Sequence, residues 1–213
     1  DGKYQLNYQD VTKQQVLDIL EDINNQYLVT EYINMCDELK AVYDGAVNTV
    51  RMIVFKKDGK NPQIGNAYVR FGSKKTGAVD NVGAGGMTAT IDVATGHFHD
   101  AKIVMNNSIE DCPIHPDTGV PIDGYLPHWE QVKQQVLDVT KSIKQLEFFG
   151  VDLAVTNDGI KFPEINRFPD YPAVEKYTKP TREYLLYKLA GKKHHYGYDV
   201  TPNRTLVHLP KRD

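Results

Sequence analysis

Over its 213 residues the chain has two cysteines, Cys36 and Cys112, and one tryptophan, Trp129. Two thiols in a chain of this length build no disulfide framework, which points to a reducing, cytoplasmic setting. Long apolar runs are missing too. Mean hydropathy is −0.49, and nothing approaches the ~18–20 residues of a membrane span, so no membrane partner is expected. Nor is there a basic excess: 25 Lys and Arg against 28 Asp and Glu leave a formal net charge of −3. That balance argues against a nucleic-acid partner. Internal repeats, low-complexity stretches and a clear linker are absent. The expectation is one domain over residues 1–190, long enough to bury a sizeable core, with a polar His- and Lys-rich tail at 191–213.

What is present reads as an α+β fold, a mostly antiparallel sheet flanked by helices. Thr12 to Gln15 matches a capping box, and Val16, Leu20 and Ile23 follow at helical spacing, which predicts a helix over 12–24. Residues 27–33 form a compact apolar segment, read as a buried strand; 34–45 is a loop or short helix. Strands are expected at 47–55, 66–71, 88–93 and 101–105, with Lys57-Asp58-Gly59 turning between the first two. Residues 106–127 read as a long irregular segment. Trp129, Val132, Val136, Val139, Ile143 and Leu146 mark an amphipathic helix, with Pro127 just before its start. A last helix is expected at 174–189.

The most informative stretch is 150–166, two β-rich runs joined by Asn157-Asp158-Gly159. Loop length decides what faces what. A two-residue loop at Asp158-Gly159 pairs Leu153 with Glu164. A three-residue loop, with Gly159 in the left-handed conformation, pairs Asp152 with Glu164 and puts Asn166 on the same face. Two opposed carboxylates repel unless something positive lies between them, and two acids with a carboxamide suit a hard divalent cation such as Mg²⁺. Spacing alone leaves a solvated, metal-free hairpin equally open.

Other stretches carry two readings each. Residues 73–86 hold Gly77, Gly83, Gly85 and Gly86 around Asp80-Asn81, a segment that could close over a ligand or be a plain surface loop. His97-x-His99 and Cys112-x-x-His115 could assemble a zinc tetrad, though such short pairs arise readily by chance. Asn48-Thr49 could simply begin a strand. Pro116-Asp117 and Gly119 are ordinary turn residues, and Lys74-Lys75 could meet an anion or merely face water.

Taken together, five motifs in collinear order carry a resemblance. Asn48-Thr49-Val50-Arg51, Val79-Asp80-Asn81 with Gly85-Gly86, Ile91-Asp92 with Thr95-Gly96, and His115-Pro116-Asp117-Thr118-Gly119 precede the hairpin with its acid and Glu-x-Asn. They resemble the ATP-grasp superfamily, specifically its sugar-transfer-associated family, over about residues 27–170. The resemblance implies an ATP-grasp C-terminal lobe using ATP and Mg²⁺. Asp152, Glu164 and Asn166 would hold the metal. The backbone of Glu31, Tyr32 and Ile33 would read the adenine, Asp37 or Glu38 would reach the ribose, and Asp80 and Asn81 would belong to the nucleotide-closing loop. Arg51 and Arg70, on adjacent strands, would clamp phosphate or carboxylate, since guanidinium matches both bidentately.

The implied chemistry is an ATP-dependent carboxylate–amine ligase passing through an acyl phosphate, acting on a small-molecule acid or sugar in surface-polysaccharide assembly. The alternatives are an ATP-grasp kinase phosphorylating a polyol and a non-catalytic binding domain. The sequence departs from the superfamily pattern at two points. Where many members carry Arg two residues before the metal-binding Asp, this chain has Gly150, and Arg51 is the candidate to take over that role. No lysine-bearing, Gly-rich loop precedes Tyr4, and the chain opens at Asp1 without a methionine. It is therefore expected to be the C-terminal part of a longer enzyme, weak in nucleotide binding and inactive alone.

Overall fold

A computed structural model of the chain describes residues 2–6, 9–22, 30–56, 59–105, 108–167, 169 and 179–189. It divides into two compact units, Asp1–Tyr32 and Ile33–Asp213. In the first, β1 (Tyr4–Leu6) pairs antiparallel with β2 (Gln9–Val11), and α1 (Lys13–Asp22) follows. The capping box closes as its sequence requires. The Gln15 N–H donates to Thr12 Oγ1 at 3.2 Å and the Thr12 N–H donates to Gln15 Oε1 at 2.8 Å, satisfying two of the orphan donors at the helix start. The strand expected at 27–33 is corrected in part. Residues 27–29 lie outside the described residues, and 30–33 carry no strand. Tyr32 is 81% exposed, so nothing there supplies the cover a buried strand needs.

The second unit begins with α2 (Asp37–Val42) and continues into a sheet of β3 (Val50–Lys56), β4 (Pro62–Phe71), β5 (Met87–Ile91), β6 (His97–Met105), β7 (Ser108–Asp111), β8 (Gly124–Tyr125), β9 (Phe148–Thr156) and β10 (Gly159–Asn166). Strand order is β10-β9-β3-β4-β5-β6-β7, with β8 also against β6, and every described pairing is antiparallel. The chain meanders outward from β3. It then returns through α3 (Trp129–Ser142) to lay β9 on the free side of β3. Residues 106–127 are thus not wholly irregular, since β7 and β8 lie within them. α3 stops at Ser142, short of Ile143 and Leu146. The last helix, α4, is described over Lys179–Leu189, and 174–178 and 191–213 lie outside the described residues.

The ladder sorts side chains onto two faces, because directly opposed residues point the same way. Val50, Met52, Val54, Val69, Ala89, Ile91, Phe98, Val151 and Leu153 share one face and form the core, with Trp129, Val132 and Val136 of α3 in the same cluster. Spacings of three and four put those α3 residues in one stripe. Burying each such side chain contributes roughly 1.5–3 kcal/mol. The opposite face carries Arg51, Tyr68, Arg70, Thr88, Thr90, Asp152 and Glu164. The sheet is apolar beneath and chemical above.

Candidate functional site

The β9–β10 hairpin brings Asp152 opposite Glu164, but by another route than a three-residue loop. Thr156 pairs directly with Gly159, so the loop is the two residues Asn157 and Asp158. That register alone would set Glu164 against Val151, on the core side. A bulge between Lys161 and Glu164 inserts one extra residue and restores Glu164 to Asp152 and Asn166 to Gly150. Pro163 lies inside the bulge. It has no N–H to give the ladder, and β10 is the edge strand, where such a defect is tolerated. Gly159 holds φ at +150°, not in the left-handed helical region.

Around Asp152 two arginines converge. Arg51 donates through Nε to Oδ1 and through Nη2 to Oδ2 at 2.7 Å; Arg70 adds Nη2 to Oδ2 at 3.0 Å. Burial works against the charge on Arg51. The hydrogen bonds to Asp152, with the nearby Asp152 and Glu164 charges, nonetheless hold its pKa above the ordinary guanidinium value. The stem of Arg51 also crosses Gly150. A Cβ at that glycine would stand 3.0 Å from Arg51 Cδ and 2.8 Å from Pro169 Cβ. The guanidinium that serves Asp152 thus arrives from the neighbouring strand, over the place where a side chain at 150 would lie.

Arg70 is held in turn by Thr49 and Asp80. The Thr49 hydroxyl accepts from Arg70 Nε at 3.1 Å and Nη2 at 2.6 Å, and donates to Asp80 Oδ2 at 2.5 Å. That uses its one proton and both lone pairs. The Thr49 N–H also donates to Asp80 Oδ2 at 2.8 Å, and Arg70 Nε lies 3.4 Å from the same oxygen. Thr49, open in the sequence to a motif role or a plain strand start, stands inside the cluster. The alternation Thr49-Val50-Arg51 was the signal, since i and i+2 share a face.

The segment 72–86 is tied to this cluster from below. Asn48 is fully buried; its Nδ2 donates to Tyr43 O at 2.6 Å and Leu39 O at 3.3 Å, and its Oδ1 accepts from the Gly72 N–H at 3.1 Å. His115, also fully buried, stacks on Tyr43 at 4.6 Å and reaches Gly72 O through Nε2 at 2.9 Å. Asp117 Oδ2 accepts the Lys74 N–H at 2.7 Å, and Thr118 Oγ1 donates to Val42 O at 2.9 Å. Asn81 is exposed and turns inward locally, accepting the Gly83 N–H at 3.0 Å in the 3-10 turn Val82–Ala84. Asp92 caps the β5–β6 turn through the Ala94 N–H at 2.7 Å. Asn48, His115 and Asp117 thus anchor the start of the 72–86 segment that carries Asp80, while Asn81 and Asp92 serve their own turns.

Other candidates lie elsewhere. Asp37 and Glu38 are exposed on the first turn of α2, whose Asp37 N–H takes Asn157 Oδ1 at 3.1 Å. Asn157 lies five residues beyond Asp152, just past the end of β9, which is roughly 16 Å at about 3.3 Å per residue. Glu31 and Tyr32 are exposed in the first unit, and Ile33 opens the second. For zinc, His115 is committed to Gly72 O and Cys112 Sγ contacts Ile114 O at 3.4 Å. Among the described residues no three His, Cys, Asp or Glu side chains are grouped to hold a metal. For magnesium the oxygen donors Asp152, Glu164 and Asn166 share one side of the hairpin. Glu164 is exposed there, and a carboxylate has about four lone-pair sites, so Asp152 keeps one beyond its three guanidinium bonds. That set fits a hard cation whose remaining ligands are phosphate oxygens and water.

Residues 9–173 match the family model described as sugar-transfer associated ATP-grasp, and the chain belongs to that family. No curated protein and no solved structure matches it.

Proposed function

With membership of the sugar-transfer associated ATP-grasp family as the premise, we propose that this chain carries the metal and phosphate end of an ATP-dependent ligase site that activates a carboxylate. The observation that carries the reading is Asp152 set opposite Glu164 with Arg51 and Arg70 converging on it. Asp152, Glu164 and Asn166 would hold Mg²⁺, which when bound offsets the charge of the nucleotide phosphates.

The chain's own groups take separate parts. Arg51 is buried and doubly bound to Asp152, so it acts as a positioning residue that fixes the carboxylate's plane. Arg70, its side chain 19% exposed, is the guanidinium that can reach an anion from solvent. Thr49 and Asp80 preset its direction, which spares reorganisation when negative charge develops on a transferred phosphoryl group. An acceptor acid attacks the terminal phosphate, forming an acyl phosphate and releasing ADP. An amine then displaces phosphate from the acyl carbon.

Thermal unfolding with Mg²⁺ and ATP tests this reading. Binding by this chain is expected to be weak, so the rise in Tm is read at saturating Mg²⁺–ATP, and Glu164→Gln is expected to remove it while leaving the metal-free Tm in place. A rise that survives Glu164→Gln would remove Glu164 from the site.

A further inference from the structure

Away from the arginine cluster, on the same face of the sheet, three aromatic rings stand in a stack. His97 lies between His99, at 4.8 Å between centroids and 27° between planes, and Tyr125, at 4.7 Å and 21°. The stack is built rather than incidental to a loop. β8 is held so close to β6 that a Cβ at Gly124 would stand 2.7 Å from Phe98 Cζ, and this approach carries Tyr125 over His97. Each histidine is oriented by a carboxylate: His97 Nε2 is 3.1 Å from Asp123 Oδ1, and His99 Nδ1 is 3.3 Å from Asp100 Oδ2. Tyr125 is 61% exposed. With one ring face on His97, its other face is open to solvent.

We propose that the Tyr125–His97–His99 stack is a saccharide-binding platform and that Asp123 supplies a hydroxyl acceptor at its edge. A pyranose ring presents a patch of weakly positive C–H groups on one side, which complements the negative face of an aromatic ring. Its hydroxyls need acceptors at the rim. Asp123 has one oxygen on His97, and its side chain is 62% exposed, leaving the second oxygen open to a ligand. The flanking carboxylates Asp123 and Asp100 disfavour a phosphate-bearing ligand at the same spot, which separates this platform from the nucleotide end.

The ladder gives the relation between the two. Tyr125 on β8 pairs with His97 on β6, and β5 lies between β6 and the β4 strand of Arg70, so the two residues stand three strands apart across the sheet, about 14 Å, and about four residues apart along it, roughly 19 Å in all. A monosaccharide does not span that gap. An acidic oligosaccharide of three or four sugars does, with its neutral end on Tyr125 and its carboxylate toward Arg70. This last step rests on the ligase reading above; the platform itself does not.

Saturation-transfer NMR on the whole chain with methyl glucoside, galactoside, mannoside and glucuronide at 20 mM, and with adenosine as a competitor, tests the proposal. Transfer to the ring C–H protons of at least one pyranoside is expected, weakened at least 10-fold by Tyr125→Ala, retained in Tyr125→Phe and reduced in Asp123→Asn. No transfer to any of the four, transfer indifferent to Tyr125→Ala, or displacement by adenosine would overturn it. Mg²⁺–ATP stabilisation measured on the same samples keeps the two readings apart. Nucleotide binding without saccharide transfer overturns only the platform. Tyr125-dependent transfer in a chain that ignores Mg²⁺–ATP overturns only the ligase reading.

Discussion

Asp152 accepts three guanidinium N–H groups with its side chain only 4% exposed. Removing one partner of such a buried set is costly because the others stay buried and uncompensated. Asp152→Asn keeps the shape but leaves two arginines without their shared counter-charge. It is expected to lose about 3–5 kcal/mol in urea unfolding. Cys36 gives a second residue-scale prediction. Burial, aided by the Glu38 carboxylate, pushes its thiol from 9.0 up to about 11. The unfolded thiol ionises from pH 9 while the folded one keeps its proton. The contribution of Cys36 is therefore whole below pH 9 and is lost as pH rises through 11. The fall should reach about 3 kcal/mol, since each unit of difference between folded and unfolded pKa is worth roughly 1.4 kcal/mol. Chemical unfolding of the native chain and Cys36→Ala across pH 8–11 should show that slope in the first and not in the second.

Among the elements, the hairpin shows how register can be right for a reason the sequence conceals. Asp152 opposite Glu164 was legible from their spacing, given one assumption about the loop. The compensation between a short loop and a bulge was not, because a bulge turns on which N–H the edge strand can forgo. Pro163 was the available sign. Pro163→Val returns a donor to the ladder, and the strand is expected to slide one residue, setting Glu164 against Val151. Deleting Pro163 instead closes the bulge with the glutamate still opposite Asp152. Cross-strand NOEs distinguish the two, and only the deletion should keep Mg²⁺–ATP stabilisation. Asn48 is the comparable joint between α2 and β4. Asn48→Ala strands the Gly72 N–H and takes the Nδ2 donor from the Tyr43 carbonyl, for an expected loss of about 3 kcal/mol. A smaller loss in urea unfolding would mean that water replaces the amide.

At the scale of the whole molecule, the second unit is a sheet whose central strands are covered on both faces. β3 is buried along its entire length and β9 from Phe149 to Val155. Their amides are expected to exchange only through global unfolding, while those of β7, exposed throughout, exchange orders of magnitude faster. Hydrogen exchange followed by mass spectrometry checks this order. Runs rich in β-branched and aromatic residues made those inner strands readable in advance, as expected of strands buried on both faces. The short strands β7 and β8 were hidden because a two- to four-residue strand carries too little alternation to register. The site was half legible. Its acids and arginines stood out by type and spacing. Alternation puts Thr49 on the face of Arg51, but its hydroxyl's joining of Arg70 to Asp80 depended on a contact 31 positions away, which no local pattern encodes.

The crossing of Arg51 over Gly150 has a consequence for the lineage of this site. One guanidinium beside the acid can be supplied from either of two positions on neighbouring strands, but the space admits a single side chain. Relatives should therefore fall into two groups. Where position 150 gains an arginine, position 51 should shrink, and substitutions at the two should be correlated across the family. By the same logic Gly150→Arg alone should fail to pack, and recovery should need Arg51→Gly together with Pro169→Gly, because a Cβ at 150 also stands 2.8 Å from Pro169 Cβ.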